Sequence, residues 1–198
     1  MNNSNKTIPA VAFVGKQNSG KTTLLVKVIS ELTAQGIRVA TIKHHSHAGF
    51  EFDVEGKDSW RHRQAGSVLA AVSAPDQMAW VRKLEEEMPV EQIIADINSV
   101  AAIATAEGSA TPPPDIILVE GYRRSSLPTI ELFRADNPND QQRNLGGEGN
   151  EIIAVVTDME RISAAANSQP QPLPVFGFEQ ITSLAVFIRD RFLDKIEP

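Results

Sequence analysis

The chain contains no cysteine among its 198 residues. It can therefore form neither a disulfide framework nor a thiolate metal site. It also lacks any run near the roughly 18 apolar residues that a membrane-spanning helix needs. Its first ten residues lack the basic and apolar segments of a secretion signal. These absences predict a cytoplasmic protein with no membrane partner.

Positive charge is also scarce, since 19 Lys and Arg residues face 25 Asp and Glu residues, for a net charge of −6. Proteins that bind nucleic acid usually have the opposite balance, so we expect no nucleic-acid partner. Any site for an anion must then be local. A hydrophobic content of 41% at this length predicts one domain, residues 1–198, with a core of its own.

One stretch near the N-terminus carries the clearest motif. Residues 11–14 form a short apolar run rich in β-branched side chains, and residues 15–22 fit G-x-x-x-x-G-K-[ST], the phosphate-binding P-loop. Residues with helical spacing follow, and Gly36 supplies a stop for that helix. The predicted apolar face of the helix consists of Leu24, Leu25, Val28 and Leu32. The motif thus lies between a strand and a helix, as a P-loop requires.

Each part of this motif suits a phosphate ligand. Gly15 and Gly20 let the backbone approach closely, and the loop amides converge on phosphate oxygens at the positive end of the helix dipole. Lys21 is predicted to reach the β- and γ-phosphates, and the Thr22 hydroxyl to hold Mg²⁺. The residues predicted to bind the phosphates are Gly15, Asn18, Ser19, Gly20, Lys21, Thr22 and Thr23.

The strand predicted at residues 38–43 completes a strand–helix–strand unit with the first strand and the P-loop helix, which favours a parallel sheet. Further strands are predicted at residues 67–73, 77–84, 115–120, 127–133, 152–156 and 175–176, and helices at 59–65, from 89 onward and at 179–193. The strand at 67–73 is expected to be buried, with 77–84 returning antiparallel to it. Pro128 places the strand at 127–133 at an edge or at its own start.

Three polar segments lie outside the predicted elements. Residues 1–7 are expected to form a flexible tail, residues 107–114 a Pro-rich surface linker and residues 135–150 a mobile loop.

Acidic side chains supply candidate metal ligands. Glu120 ends the apolar strand at 115–120, where a P-loop protein needs an acid for Mg²⁺. Asp53 and Asp58 are a second source, although Asp58 could equally be only a helix cap. Asp158 follows another apolar strand, where its carboxylate could accept hydrogen bonds from a guanine ring or cap a helix.

Basic and histidine side chains have two interpretations each. Lys57, Arg61 and Arg63 could grip an anionic ligand or form a solvated face, and Arg123 and Arg124 suit a second anionic ligand. The histidine-rich segment, residues 44–66, contains His44, His45 and His47. Zinc binding there competes with contacts to phosphate or pterin and with a purely structural role.

Three segments together resemble the molybdopterin-guanine dinucleotide biosynthesis adapter family, MobB. They are GKQNSGKTT at residues 15–23, IKHHSHAGFEFDVEGKDSWRHRQAG at 42–66 and ILVEGYR at 117–123, within a resemblance that covers about residues 8–160. The resemblance implies an α/β P-loop NTPase fold, with a mainly parallel sheet flanked by helices and a small antiparallel extension, which residues 67–84 fit.

The resemblance also implies a function. Members bind GTP with Mg²⁺, hydrolyse it slowly, dimerise, and assist the guanylyltransferase that joins GMP to the molybdenum cofactor; some contact with molybdopterin is implied. By position, Thr22, Asp53 and Glu120 would hold Mg²⁺. Lys57 and Asp158 are further candidates for contact with the ligand, from their residue types and their places in the chain. No catalytic residue or arginine finger is assigned.

Two other functions remain open. The first is a P-loop kinase for a small metabolite, with Asp53 or Asp58 as its base. The second is a metal-delivery GTPase that uses His44, His45 and His47.

Overall fold

The computed structural model describes residues 7–47, 49–106, 112–146 and 150–193. These residues form two units, a larger one from Met1–His44 and Val90–Pro198 and a smaller one from His45–Pro89. The tail predicted at residues 1–7 lies outside the described residues except for Thr7. The predicted linker at 107–114 and the predicted loop at 135–150 lie partly outside them.

The described chain forms strands and helices close to the positions that the sequence predicts. The strands are β1 (Ala10–Val14), β2 (Val39–Lys43), β3 (Leu69–Ser73), β4 (Met78–Arg82), β5 (Ile116–Glu120), β6 (Thr129–Phe133), β7 (Ile152–Thr157) and β8 (Val175–Phe176). The helices are α1 (Lys21–Ala34), α2 (Asp58–Gln64), α3 (Val90–Ala106), α4 (Glu160–Asn167) and α5 (Ile181–Phe192). Predicted ends are correct to within two residues, and only α4 was not predicted.

The larger unit contains a six-stranded parallel sheet in the order β2-β5-β1-β6-β7-β8. β1 lies at its centre, where Ala10 pairs with Ile117 of β5 and Ala12 with Thr129 of β6. The strand order reverses at β1, since the chain goes first to one side of it and later to the other. In open α/β sheets such a switch point, at the carboxyl ends of the strands, is where ligands bind.

Helices cover both faces of this sheet. Side chains alternate along β5, so that Leu118 packs with α1 and α5 while Val119 packs with α3. The predicted apolar face of α1 is confirmed as buried, and α5 contributes Leu184, Ala185 and Ile188 to the same cluster. A third cluster joins α4 to β6 and β7 through Ile162, Phe133 and Val155. The predicted mainly parallel α/β fold is confirmed.

The smaller unit contains α2 and an antiparallel hairpin in which β3 pairs with β4 from Leu69–Arg82 to Ser73–Met78. The predicted antiparallel return is therefore confirmed. The predicted burial of residues 67–73 is wrong, because Leu69 is 50% exposed and Val72 51% exposed. An apolar run in a hairpin is buried only if a second layer covers it, and a run of residues does not show whether one exists.

One local prediction is wrong, and the structure decides between the two alternatives of another. Asp58 does not cap α2, because Lys57 is the N-cap residue and Asp58 is the first helical residue, with an 89% exposed side chain. Its carboxylate lies 3.8 Å from the Arg61 guanidinium, one turn along the helix. Pro128 marks the start of β6 and not an edge, since β6 pairs with both β1 and β7.

None of the helices in the described ranges is both long and apolar enough to cross a membrane.

We expect Leu184→Ala to lower the free energy of unfolding by about 2–5 kcal/mol, because Leu184 is fully buried between α5, α1 and the sheet. Urea unfolding followed by circular dichroism measures this change. Val26→Ala on α1 is the control, since Val26 is 59% exposed and should change the stability by less than about 0.5 kcal/mol. Equal losses in the two variants would contradict the assigned core.

Candidate functional site

The P-loop connects the buried end of β1 to the first turn of α1. Gly20 is the N-cap residue of α1, with a left-handed φ of 82°, and no side chain caps the helix there. A helix leaves its first N–H groups without acceptors inside the helix. With no capping side chain in the way, those groups can face a bound anion.

Close packing inside the loop explains its first glycine. A Cβ on Gly15 would lie 2.5 Å from the Ser19 hydroxyl oxygen, so any larger residue would force the loop apart. Ser19 is fully buried, and its hydroxyl has no hydrogen-bond partner within the described part of the chain. Asn18 takes a left-handed φ of 64°, which is unusual for a residue other than glycine. The loop is thus a tight curve whose polar groups are only partly satisfied within the protein, as a phosphate cradle requires.

Lys21 folds back over this curve. Its ammonium donates a 2.7 Å hydrogen bond to the Lys16 carbonyl across the loop. Burial lowers the pKa of Lys21 below its ordinary value, and the neighbouring Arg123 charge lowers it further, while Glu120 and Asp140 act in the opposite direction. A phosphate bound beside Lys21 would favour the charged ammonium, so the residue is placed to gain from an anionic ligand.

Glu120 and Thr22 meet at the carboxyl end of β5. Glu120 is only 8% exposed, and its Oε1 accepts a 2.8 Å hydrogen bond from the Thr22 hydroxyl. An octahedral Mg²⁺ with bonds of about 2.0–2.1 Å separates adjacent oxygen ligands by about 2.9 Å. The two oxygens are hard ligands at close to that spacing, so the donor set and its geometry fit the predicted ion. The same Oε1 also accepts from the Lys43 ammonium at 2.8 Å.

The backbone after Glu120 passes close to β2. Gly121 has a φ of 101°, and a Cβ there would lie 2.7 Å from the Cβ of His44. Tyr122 takes a left-handed φ of 51°, and its ring centroid is 4.5 Å from that of His44. This contact gives His44 a defined structural role. It also explains why a glycine follows the acid.

Arg123 contacts the P-loop directly, since its guanidinium donates a hydrogen bond to the Gly15 carbonyl. The arginine pair at 123–124 was predicted to suit a second anionic ligand. The structure adds a bracing role for Arg123, whose charge also lies near Lys21.

Asp158 lies just beyond β7, and its Oδ1 accepts a 2.6 Å hydrogen bond from the Ala135 amide. It therefore ties the end of β7 to the segment after β6. It does not cap α4, whose N-cap residue is Met159. Contact between Asp158 and a guanine ring stays a prediction.

The remaining predicted site residues belong to the smaller unit. Asp53 is 18% exposed at its side chain, and its Oδ2 lies 3.9 Å from the Arg63 guanidinium. Lys57 is exposed at the start of α2, and the rings of His45 and His47 are 5.8 Å apart. Across the described ranges, no group of three or more His, Asp or Glu side chains is arranged to hold a metal ion. The roles of Asp53 and Lys57 toward Mg²⁺ and ligand stay predictions.

The segment after β6 carries polar residues that the sequence analysis missed. Asn137 donates to the Gln17 carbonyl of the P-loop at 3.0 Å and to the Asp140 carboxylate at 2.8 Å. Asp140 is fully buried and also binds the Arg143 guanidinium at 2.8 Å. Arg143 in turn pairs with Glu131 of β6, whose side chain is 5% exposed. We call Asn137, Asp140, Arg143 and Glu131 the loop brace.

A signal for this brace is present in the sequence. Thr129 and Glu131 are polar residues at alternate positions of an otherwise apolar strand, and a buried acid needs a partner. The segment at 135–150 was predicted to be mobile from its polar composition alone. Its described part contains a 3-10 turn, Pro138–Asp140, and buried polar side chains, of which Asn137 binds the Gln17 carbonyl of the P-loop.

We expect Asp140→Asn to destabilise the protein by about 1–3 kcal/mol, because an amide NH₂ would replace an oxygen that accepts hydrogen bonds in a buried place. The carboxylate accepts from the Arg134 amide, Asn137 and Arg143. Thermal and urea unfolding measure the loss. Asp136→Asn, an exposed change in the same segment, is the matched control. Equal stability of the two variants would contradict the brace.

The chain is similar to known proteins in sequence and in fold. The family model described as molybdopterin guanine dinucleotide synthesis protein B matches residues 10–158. A molybdopterin-guanine dinucleotide biosynthesis adapter protein of Escherichia coli is 36% identical over 152 residues, covering 77% of this chain and 79% of its own. A protein of the same name from Haemophilus influenzae is 34% identical over 132 residues, or 67% of each chain.

Solved structures agree with the fold. A crystal structure of Bacillus subtilis MobB superposes with a TM-score of 0.63 at 22% identity, covering 91% of this chain and 96% of that one. A MobB homologue from Bacillus stearothermophilus gives a TM-score of 0.55 at 23% identity, covering 91% and 97%. The family match spans the P-loop, Glu120 and Asp158 together, and the chain belongs to the MobB family of molybdopterin guanine dinucleotide synthesis proteins.

Proposed function

We propose that the protein is a GTP-binding adapter in molybdopterin guanine dinucleotide biosynthesis. The observation that supports this proposal is the meeting of Lys21, Thr22 and Glu120 at the tip of the central strands. This arrangement would place a phosphate site beside a divalent-cation site. The names of the relatives supply the pathway.

In this proposal the P-loop holds the phosphates of GTP. The amides at the start of α1 and the Lys21 ammonium bind phosphate oxygens, while Thr22 and Glu120 hold Mg²⁺, with Asp53 as a further candidate ligand. When bound, Mg²⁺ neutralises charge on the β- and γ-phosphate oxygens. Glu120 is well suited to this task, because its burial and its hydrogen bond from Thr22 fix the position of its carboxylate.

We further propose that Asp158 accepts hydrogen bonds from the guanine ring and that hydrolysis is slow. Asp158 uses Oδ1 to bind the Ala135 amide, which orients the carboxylate. Arg123 donates to the Gly15 carbonyl and so serves to brace the loop. In GTPases that hydrolyse GTP fast, an arginine neutralises charge in the transition state. Because Arg123 is bound to the loop, it is not assigned that task, which is consistent with slow hydrolysis. Slow turnover suits an adapter that signals through its nucleotide state to the guanylyltransferase.

We expect Mg²⁺-dependent binding of GTP in preference to ATP, measured by isothermal titration calorimetry. Lys21→Ala should weaken GTP binding by roughly ten-fold to a hundred-fold, because a charge-assisted hydrogen bond to a buried phosphate contributes about 1.5–3 kcal/mol. Lys27→Ala is the matched control, since Lys27 lies on the same helix but pairs with Glu179 in solvent.

Other results would change the assignment. Preference for ATP, with turnover only when a small acceptor is added, would favour a metabolite kinase. GTP binding that Lys21→Ala leaves intact would show that the nucleotide does not use the P-loop.

We also propose that the protein is a homodimer joined through the β3–β4 hairpin. A two-stranded sheet is only marginally stable alone. This one exposes Met78 at 67% and Trp80 at 49%, beside Leu69 on the same face. Exposed apolar side chains gathered on one small element mark a protein interface.

We expect Trp80→Lys to raise the dimer dissociation constant by roughly thirty-fold or more, as loss of a central aromatic contact does. Sedimentation velocity over a range of protein concentrations measures it. Val26→Lys, which changes an exposed apolar residue on α1 in the same way, should leave the dissociation constant unchanged. A dimer that tolerates the hairpin substitution would place the interface elsewhere.

A further inference from the structure

Lys43 lies beside Thr22 and Glu120, and neither the sequence motifs nor the proposed function gives it a role. Its ammonium lies 2.8 Å from Glu120 Oε1 and 3.4 Å from Thr22 Oγ1. The Thr22 hydroxyl is itself 2.8 Å from the same Glu120 oxygen. The three polar atoms form a compact triangle, so a positive charge already contacts both oxygens that fit Mg²⁺.

The sheet enforces this contact. Lys43 is the last residue of β2 and pairs in register with Glu120, the last residue of β5. Residues paired in parallel strands point to the same face, so both side chains leave the sheet together. The next residue, His44, donates its amide to the Glu120 carbonyl at 2.8 Å and continues the pairing past the strand ends. The meeting of ammonium and carboxylate therefore follows from backbone register and not only from the rotamer of a long side chain.

A divalent ion and this ammonium cannot share the site. Mg²⁺ at this site would contact the Glu120 carboxylate directly or through a bound water. Mg²⁺ and the Lys43 ammonium would then lie close together and repel each other strongly. The Lys43 side chain is 59% exposed, so it is free to swing into solvent, whereas the Glu120 side chain is 10% exposed and fixed. Of these two side chains, Lys43 is therefore the one that can move away from the site.

We propose that Lys43 is a positioning residue that occupies the divalent-cation site of the P-loop and is displaced when the metal ion binds. This inference rests on the proposed Mg²⁺ site at Thr22 and Glu120. The ammonium keeps the Glu120 carboxylate paired and in place, and it sets the metal concentration at which the site fills. Displacement also moves a positive charge from the metal site into solvent.

The first test uses Mn²⁺ and the protein alone, so it does not depend on nucleotide. Lys43→Met should tighten Mn²⁺ binding by roughly two-fold to five-fold, which is the contribution of a half-exposed ion pair, as measured by the electron paramagnetic resonance signal of free Mn²⁺. Lys27→Met removes the same charge from an exposed position of α1 that pairs with Glu179, and it should leave the affinity unchanged. In a Glu120→Gln background, Lys43→Met should no longer tighten Mn²⁺ binding relative to Glu120→Gln alone. An affinity that Lys43→Met leaves unchanged or weakens would overturn the proposal.

The second test separates this inference from the proposed function. The affinity for GTP is measured with Mg²⁺ and with a chelator, and the ratio of the two affinities should rise roughly two-fold to five-fold in Lys43→Met. Equal weakening under both conditions would show that Lys43 binds the nucleotide directly, and the proposal would fall. If the wild-type protein binds no GTP, the proposed function fails, while the Mn²⁺ titration still decides the role of Lys43.

Discussion

A carboxylate enclosed at the end of a buried strand must be balanced by positive charge and hydrogen bonds, because an uncompensated buried charge costs several kcal/mol. Glu120 is in this position, and the neighbouring side chains supply the positive charge and hydrogen bonds that it needs. Lys43 and Thr22 bind its oxygen, and the charge of Lys21 is stabilised by it. The parallel sheet makes this balance possible, because β2, β5 and β1 all end at one edge and deliver these side chains to it.

Support for the P-loop comes from the opposite side of β1. The loop brace links β6 to the segment after it, and Asn137 carries that link to the Gln17 carbonyl. Arg123 holds Gly15 from the β5 side. A loop that must keep unusual backbone angles at Asn18 and Gly20 is thus held from two directions. Such support keeps the amides oriented before a ligand arrives, which lowers the cost of binding.

Local patterns in the sequence were enough to predict most of the fold. The P-loop, the apolar face of α1 and the acid at the end of β5 each depend on residue types at fixed spacing, and the structure confirms their placement. The loop brace was missed because its partners, Glu131 and Arg143, are joined only by tertiary packing. The exposure of the β3–β4 hairpin was missed for a related reason: an apolar strand has the same sequence whether the molecule covers it or a second molecule does. The metal role of Asp53 stays a prediction.

The strand order also has a consequence for synthesis on the ribosome. Ala10 of β1 pairs with Ile117, and Ala12 with Thr129, so the strand that leads into the P-loop is made long before either of its neighbours. The β3–β4 hairpin closes on itself and can form as soon as it leaves the exit tunnel. An apolar strand that waits for distant partners is exposed to aggregation and folds slowly. In the nascent chain β1 therefore cannot complete its pairing until β5 and β6 have emerged.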